Sequence, residues 1–291
     1  MTSCSLPLLD EQIRRNAAFR DAWERYSPHR NRVTELLLAA APPSPGTLAI
    51  LGAGNCNDID LLRLLTAFSR IRLIDCDLSA LSMAVSRQGL SDNPAVELLG
   101  SGDLSGIAGD LANWPAGSLP SASEVTEAIA TARLVTLPVP DDSLDVVASV
   151  CLLSQLLEPV ARLLSLDARP GLLELLVTIR RQHLALMLQM LKPGGRGVLI
   201  SDVVSSDTAA ELCDAGLTDF SQLLARLIRQ KNFFTGLNPA VIIHELRFLA
   251  SNGESTKIEP ISPWLWDAGP RCYAVFGIEF EKAALLQARS P

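Results

Sequence analysis

The chain has 291 residues, 48% hydrophobic and 20% charged, enough apolar side chain for one large or two small domains with a sizeable core. Its formal charge of −7 gives no overall attraction for nucleic-acid phosphates, so no nucleic-acid partner is expected. Six scattered cysteines (Cys4, Cys56, Cys76, Cys151, Cys213, Cys272) show no C-x-x-C pair and no histidines at zinc spacing. They are expected to be reduced thiols in a cytoplasmic protein without a metal site.

In chain order, "MTSCSLPLLDEQIRRN" lacks the basic start and apolar core of a secretory signal. Residues 10–40 are predicted helical, with Ala17, Trp23, Val33, Leu36 and Leu37 at helical spacing and a break at "YSPHRN" around Pro28. "APPSPG" at 41–46 follows as a stiff linker, which separates residues 1–46 from a main domain at 47–291. The pattern then alternates: strand 47–52, helix 57–69, strand 71–75, helix 78–88, strand 95–99 and a short helix near 123–132. Strand 144–150, helix 171–191, strand 196–204, helices 208–230 and 239–250, and strands near 256–262 and 271–280 complete it. Repeated β-α units with Val/Ile/Leu-rich strands predict an α/β fold, a doubly wound and mostly parallel sheet. "SPWLWDAGPR" is too short for a helical crossover, so the last two strands are expected to pair antiparallel at one edge. "LLELLVTIRRQHLALMLQML" carries charges every few residues and reads as an amphipathic helix, so no membrane partner is expected.

"LAILGAGNCNDIDL" (48–61) ends the first strand in Gly52 and Gly54 and opens a helix, a bend that brings backbone amides close to a ligand. A diphosphate fingerprint requires G-x-G-x-x-G, but Asn57 takes the third place, and no G-x-x-x-x-G-K-[ST] occurs. The next strand, "IRLIDCD", ends in Asp75 and Asp77, 23 and 25 residues beyond Gly52, where adenosine-binding folds place a carboxylate for ribose hydroxyls. Asp75 ends the apolar run and is preferred; Asp77 can equally cap the following helix. Three more segments follow in order. "ELLGSGDLSG" (97–106) holds Asp103 in a glycine-rich turn, "LPVPDDSLDVVASVCLLSQL" (137–156) leads into strand 4, and "MLKPGGRGVLISDVV" (190–204) turns into strand 5.

Over about residues 47–204 these motifs resemble the class I S-adenosylmethionine-dependent methyltransferases. The resemblance implies a seven-stranded, Rossmann-like methyltransferase fold with S-adenosyl-L-methionine as cofactor. It places "LGAGN" under the methionine part, Asp75 on the ribose and Asp103 beside the adenine amino group. The implied cofactor set is Gly52, Ala53, Gly54, Asn55, Cys56, Asp75, Cys76, Gly102, Asp103, Leu104, Ser149 and Val150. The sequence at the end of strand 4, "SVCLLSQ", lacks the [DNS]-P-P-[YFW] sequence that resembling enzymes use to hold an exocyclic or amide nitrogen, which disfavours methylation of adenine, cytosine or glutamine amide. A small-molecule acceptor is therefore expected, held by Cys151, Ser154, Asp202, Phe233 and Phe234.

Tyr26, His29 and Arg30 are read as part of an N-terminal lid, with Tyr26 and His29 catalytic and Arg30 on the cofactor; the alternative for His29 is that it caps the next helix. Trp264 and Trp266 are expected to face one inward and one outward, and His183 and His244 to pack within helices. Two alternatives stay open: a catalytically silent cofactor-binding or scaffold protein, and a nicotinamide-dependent oxidoreductase, which Asn57 and the closing hairpin disfavour.

Overall fold

Successive side chains of β1 (Gly46–Leu51) bury opposite faces. Leu48 and Ile50 pack on one side and Ala49 and Leu51 on the other, all 0% exposed, which only a strand covered by helices on both sides can do. A computed structural model describes residues 7–100, 103–114, 118–214, 220–250 and 257–283. The first face carries Val33 and Leu37, Leu61 and Leu64, and Leu81 and Val85. They come from α2 (Ser27–Ala39), α3 (Leu61–Leu64) and α4 (Leu78–Arg87). The second packs against α6 (Ala122–Ala132), α7 (Leu153–Leu166) and α8 (Pro170–Met190). The remaining helices are α1 (Pro7–Ala18), α5 (Ala108–Asn113), α9 (Phe220–Arg229) and α10 (Pro239–Ala250).

With β2 (Phe68–Asp75), β3 (Val96–Gly100), β4 (Leu144–Val150), β5 (Leu191–Ser205), β6 (Ile258–Asp267) and β7 (Cys272–Glu281), the sheet runs β3-β2-β1-β4-β5-β7-β6. The first five strands are parallel; β7 lies antiparallel to both β5 and β6. This is the doubly wound, seven-stranded sheet with an antiparallel closing hairpin that the sequence predicts. Strand order reverses between β1 and β4, so a crevice opens beyond their carboxyl ends, where ligands of open α/β sheets bind.

Several elements differ from expectation. Pro28 does not break a helix but stands in the first turn of α2, where its missing N–H costs no hydrogen bond. The helix predicted at 57–69 shrinks to Leu61–Leu64, capped by the Asp60 side chain, because residues 52–60 are spent on the turn and β2 already begins at Phe68. Strand 144–150 matches β4, but α7, which the sequence reading lacks, starts at Leu153 after Cys151 at φ 48°. Helix 208–230 divides into a 3-10 turn at Ala210–Asp214 and α9. β5 runs from Leu191, through the predicted Pro-Gly-Gly turn, and β6 reaches Asp267, so most of "SPWLWDAGPR" is strand. Trp264 and Trp266 do not face opposite ways. Positions two apart share a face of a strand, and both indoles lie against His29 of α2.

Arg180 of α8 and Glu245 of α10 form a buried two-pronged ion pair (2.6 and 2.7 Å), and Arg180 also donates to the carbonyl of Gly236. This pair fixes the segment carrying Phe233 and Phe234 over the sheet end. Among the described residues no helix is long and apolar enough to cross a membrane.

Candidate functional site

The glycine turn can form only where side chains are absent. Gly52 (φ 68°) and Gly54 (φ 46°) are left-handed, and a Cβ on Gly52 would lie 2.7 Å from Leu152 Cδ1. Asp75, ending β2, staples the turn: its Oδ2 accepts from Gly54 N–H (2.9 Å) and its Oδ1 from Asp77 N–H (2.8 Å). Burial raises its carboxyl above the usual range. Asp77 caps α4 by accepting from Ala80 N–H, so the capping alternative holds for that residue. Asp103 is likewise occupied, accepting from Ser105 N–H and Oγ–H and from Ala108 N–H at the start of α5.

Two cavities meet at Gly52. The smaller, about 80 Å³, lies beside Asp75, Cys76, Asp103 and Leu104 and is roofed by Leu8, Leu9, Gln12 and Asn16 of α1. The larger, about 1020 Å³, has Gly52, Ala53, Gly54, Asn55, Cys56, Val150 and Cys151 on its floor. Ser154 and Asp202 stand above them, and Phe19, Tyr26, Phe233, Phe234, Trp266 and Tyr273 form the walls. All five sequence-predicted acceptor residues thus face one cavity, and the predicted cofactor residues divide between the two. Gly102 lies outside the described residues, as does Cys4. Ser149 is turned away, fully buried and hydrogen-bonded to His183 Nε2 (2.9 Å) across the β4–α8 contact.

The N-terminal residues divide as well. Tyr26 lines the large cavity, its ring edge-on to Trp266 at 5.0 Å. His29 does not line it: the ring is 2% exposed, stacks on Trp266 at 4.4 Å and accepts from Trp264 Nε1–H at 3.0 Å through Nδ1. That bond puts the neutral ring's proton on Nε2, which is buried without a partner. Burial pushes the imidazole down to about 3. Arg30 lies over the Trp23 ring and donates to the carbonyls of Trp23 and Asn57, tying the N-terminal segment to the glycine turn. Asn55 donates to Asn16 O (2.6 Å) and Asn57 to Phe19 O (2.7 Å), reinforcing this tie.

Charge on the cavity wall is unevenly satisfied. Arg15 and Arg162 pair with Glu158, and Arg271 with Asp207. Asp58 and Asp202 have no ion pair among the described residues. Asp202 accepts only from Ser154 Oγ–H (2.6 Å) among side chains, and burial lifts its carboxyl to about 6. Asp58 is lifted to about 7 by the same cause. Sequence reasoning missed Asp58, although it lies inside the glycine-turn stretch, and missed the α1 and α7 residues. The amphipathic run 153–166, interrupted by Pro159, was the available signal for α7. The arrangement can hold an elongated ligand along the switch crevice and take a proton on either of two carboxylates.

No family model and no curated protein matches the sequence. Solved structures that the chain is similar to include the N-methyltransferase NodS of Bradyrhizobium japonicum in complex with S-adenosyl-L-homocysteine (13% identity, TM-score 0.48, 94% of this chain and 98% of that one). Another is the complex between the Haloferax volcanii Trm112 methyltransferase activator and a methyltransferase (14%, 0.46, 94% and 98%). A third is an O-methyltransferase family protein of Burkholderia thailandensis (16%, 0.45, 95% of this chain and 61% of that one).

Proposed function

We propose that the chain is an S-adenosylmethionine-dependent methyltransferase acting on a small-molecule acceptor. The observation that carries this reading is the pair of cavities meeting at the glycine turn, one beside the β2 carboxylate and one enclosed by aromatic rings with two unpaired acids. The larger cavity lies at the top of the size range of small-molecule sites.

When bound, the cofactor supplies an electrophilic methyl group on sulfur. The chain's own residues do the rest. Bare backbone at Gly52–Gly54 admits the amino-acid part, and Asp75 accepts from the ribose hydroxyls. Phe233, Phe234 and Tyr26 orient the acceptor and exclude water, which favours in-line attack. Asp202, polarised by burial, takes the proton of an acceptor that arrives protonated, and Asp58 is placed for the same task.

Residues 7–26 act as a lid. The cavity beside Asp75, about 80 Å³, is smaller than sites that take a nucleoside, so α1 must shift to admit one. The ties from Asn55 and Asn57 to α1 are the contacts such a shift breaks, and Asn55 Oδ1, buried and unpartnered, is then free to meet the ligand.

The test is calorimetric titration with S-adenosylmethionine followed by turnover with a panel of labelled-methyl reactions. Binding with transfer supports the reading, and binding without transfer to any acceptor points to the silent cofactor-binding protein. No binding at all removes both.

A further inference from the structure

Two of the cysteines expected to be unrelated thiols are brought together. Cys213, in the 3-10 turn after β5, and Cys272, the first residue of β7, are 59 positions apart with their sulfurs at 3.0 Å. Cys213 is exposed and Cys272 partly so, so a soluble oxidant reaches the pair. The backbone beside Cys272 is held: Ser206 N–H donates to Cys272 O (2.9 Å), Cys272 N–H donates to Ser206 Oγ (3.1 Å), and Asp207 pairs with Arg271 at 2.8 Å. Closing to the disulfide bond length of about 2.05 Å brings the two sulfurs about 1 Å nearer.

We infer that Cys213 and Cys272 form a two-electron oxidation site, an accessible dithiol that closes to an intramolecular disulfide against a low-molecular-weight disulfide such as glutathione disulfide. The exposed Cys213 thiolate attacks one glutathione sulfur, forming a mixed disulfide and releasing the first glutathione thiolate. The Cys272 thiolate then attacks the Cys213 sulfur, and the second glutathione leaves. Both chain thiols are oxidised, one glutathione disulfide is reduced, and the two protons lost by the cysteines are taken up by the two glutathione thiolates. Contact with Cys213 and burial push the Cys272 thiol up to about 11, which makes Cys272 the poorer first attacker. The inference is independent of methyl transfer. Its connection to the site is spatial: the bond joins the segment after β5 to β7 beside Asp207, Arg271 and Tyr273, which form one wall of the large cavity.

The full chain is equilibrated in glutathione buffers of increasing disulfide content, alkylated, digested and weighed. Cys213 and Cys272 should become unavailable to alkylation together, in a cross-linked peptide lighter by about 2 Da than the two thiol peptides, while half-buried Cys76 stays alkylatable. In Cys272→Ser, Cys213 should instead accumulate as the mixed disulfide with glutathione. The inference is overturned if wild-type Cys213 accumulates as that mixed disulfide with Cys272 still alkylatable, or if both stay alkylatable in the most oxidising buffer. Since the deciding readings are made on the wild type, a variant that folds poorly does not shield the proposal.

Discussion

The two halves of the switch crevice treat their acids in opposite ways. On the β1–β3 side, Asp75 and Asp103 each accept from two backbone N–H donors and serve the turns that hold them. On the β4–β7 side, Asp202 has a single side-chain donor. The carboxylates of the first strands build their turns, whereas Asp202 holds no turn together. A buried acid without structural employment is held at a cost in stability, and such groups cluster at functional sites.

The sharpest way to break this contrast is to loosen the frame of the second half. Glu245→Ala leaves Arg180 buried and unpaired, and we expect a stability loss of about 3–5 kcal/mol in chemical denaturation. A loss under about 1 kcal/mol would mean that α10 is held by apolar packing alone.

Next comes pH. The folded-state value of Asp202, about 6, lies above the unfolded value near 3.9, so native Asp202 holds its proton more tightly. Its favourable contribution is complete below about pH 4 and is lost as pH rises through about 6. Asp202→Asn should therefore gain on the wild type by on the order of 2–3 kcal/mol between pH 4 and 7. His29 has the reverse sign. Its neutral ring contributes fully above about pH 6.5, and that contribution is lost as pH falls toward 3. The two slopes oppose each other in the wild type, so denaturation at pH 5 and pH 7 must be compared with the variant; a parallel pair of profiles would refute the assignment to Asp202.

Asp75→Ala should weaken S-adenosylmethionine binding by about 1.5–3 kcal/mol, the range for hydrogen bonds to a charged group. Because Asp75 also holds Gly54 N–H, the unfolding midpoint should fall with it. Unchanged affinity in a folded variant would sink the ribose assignment. Smallest is Arg15→Ala, which cuts the pair to Glu158 between α1 and α7, both about a third exposed. Stability should change by only about 0.2–1 kcal/mol. Hydrogen exchange over residues 7–26 should nonetheless quicken, and an unaltered exchange rate would argue against a lid hinged there.

What was readable in the sequence follows from which forces are local. Strands β1 to β5 announce themselves because each is a short apolar run between turn residues, and the bend at Gly52 and Gly54 because left-handed backbone favours glycine. Cys151, Ser154 and Asp202 line one cavity because strand ends of a doubly wound sheet converge on one crevice, and Phe233 and Phe234 reach it from the segment between α9 and α10. His29 was misjudged because its surroundings come from Trp264 and Trp266, more than two hundred positions away, and Pro28 reads alike as a helix breaker and a helix starter. α7 was missed because strand and helix join in "SVCLLSQLL" with no glycine or proline between them, so only the left-handed Cys151 marks where strand gives way to helix. The sulfur pair was invisible because nothing in the sequence encodes a contact across 59 residues.

The indole-imidazole stack has a consequence for how the molecule is made. Trp264 reaches His29 across 235 positions, and β7 must insert between β5 and β6 before that stack can exist. A nascent chain emerging from the ribosome thus carries α2 with the indoles that cover His29 still unsynthesised until the closing hairpin appears. During that interval the His29 ring is open to water or to whichever chaperone reaches it first.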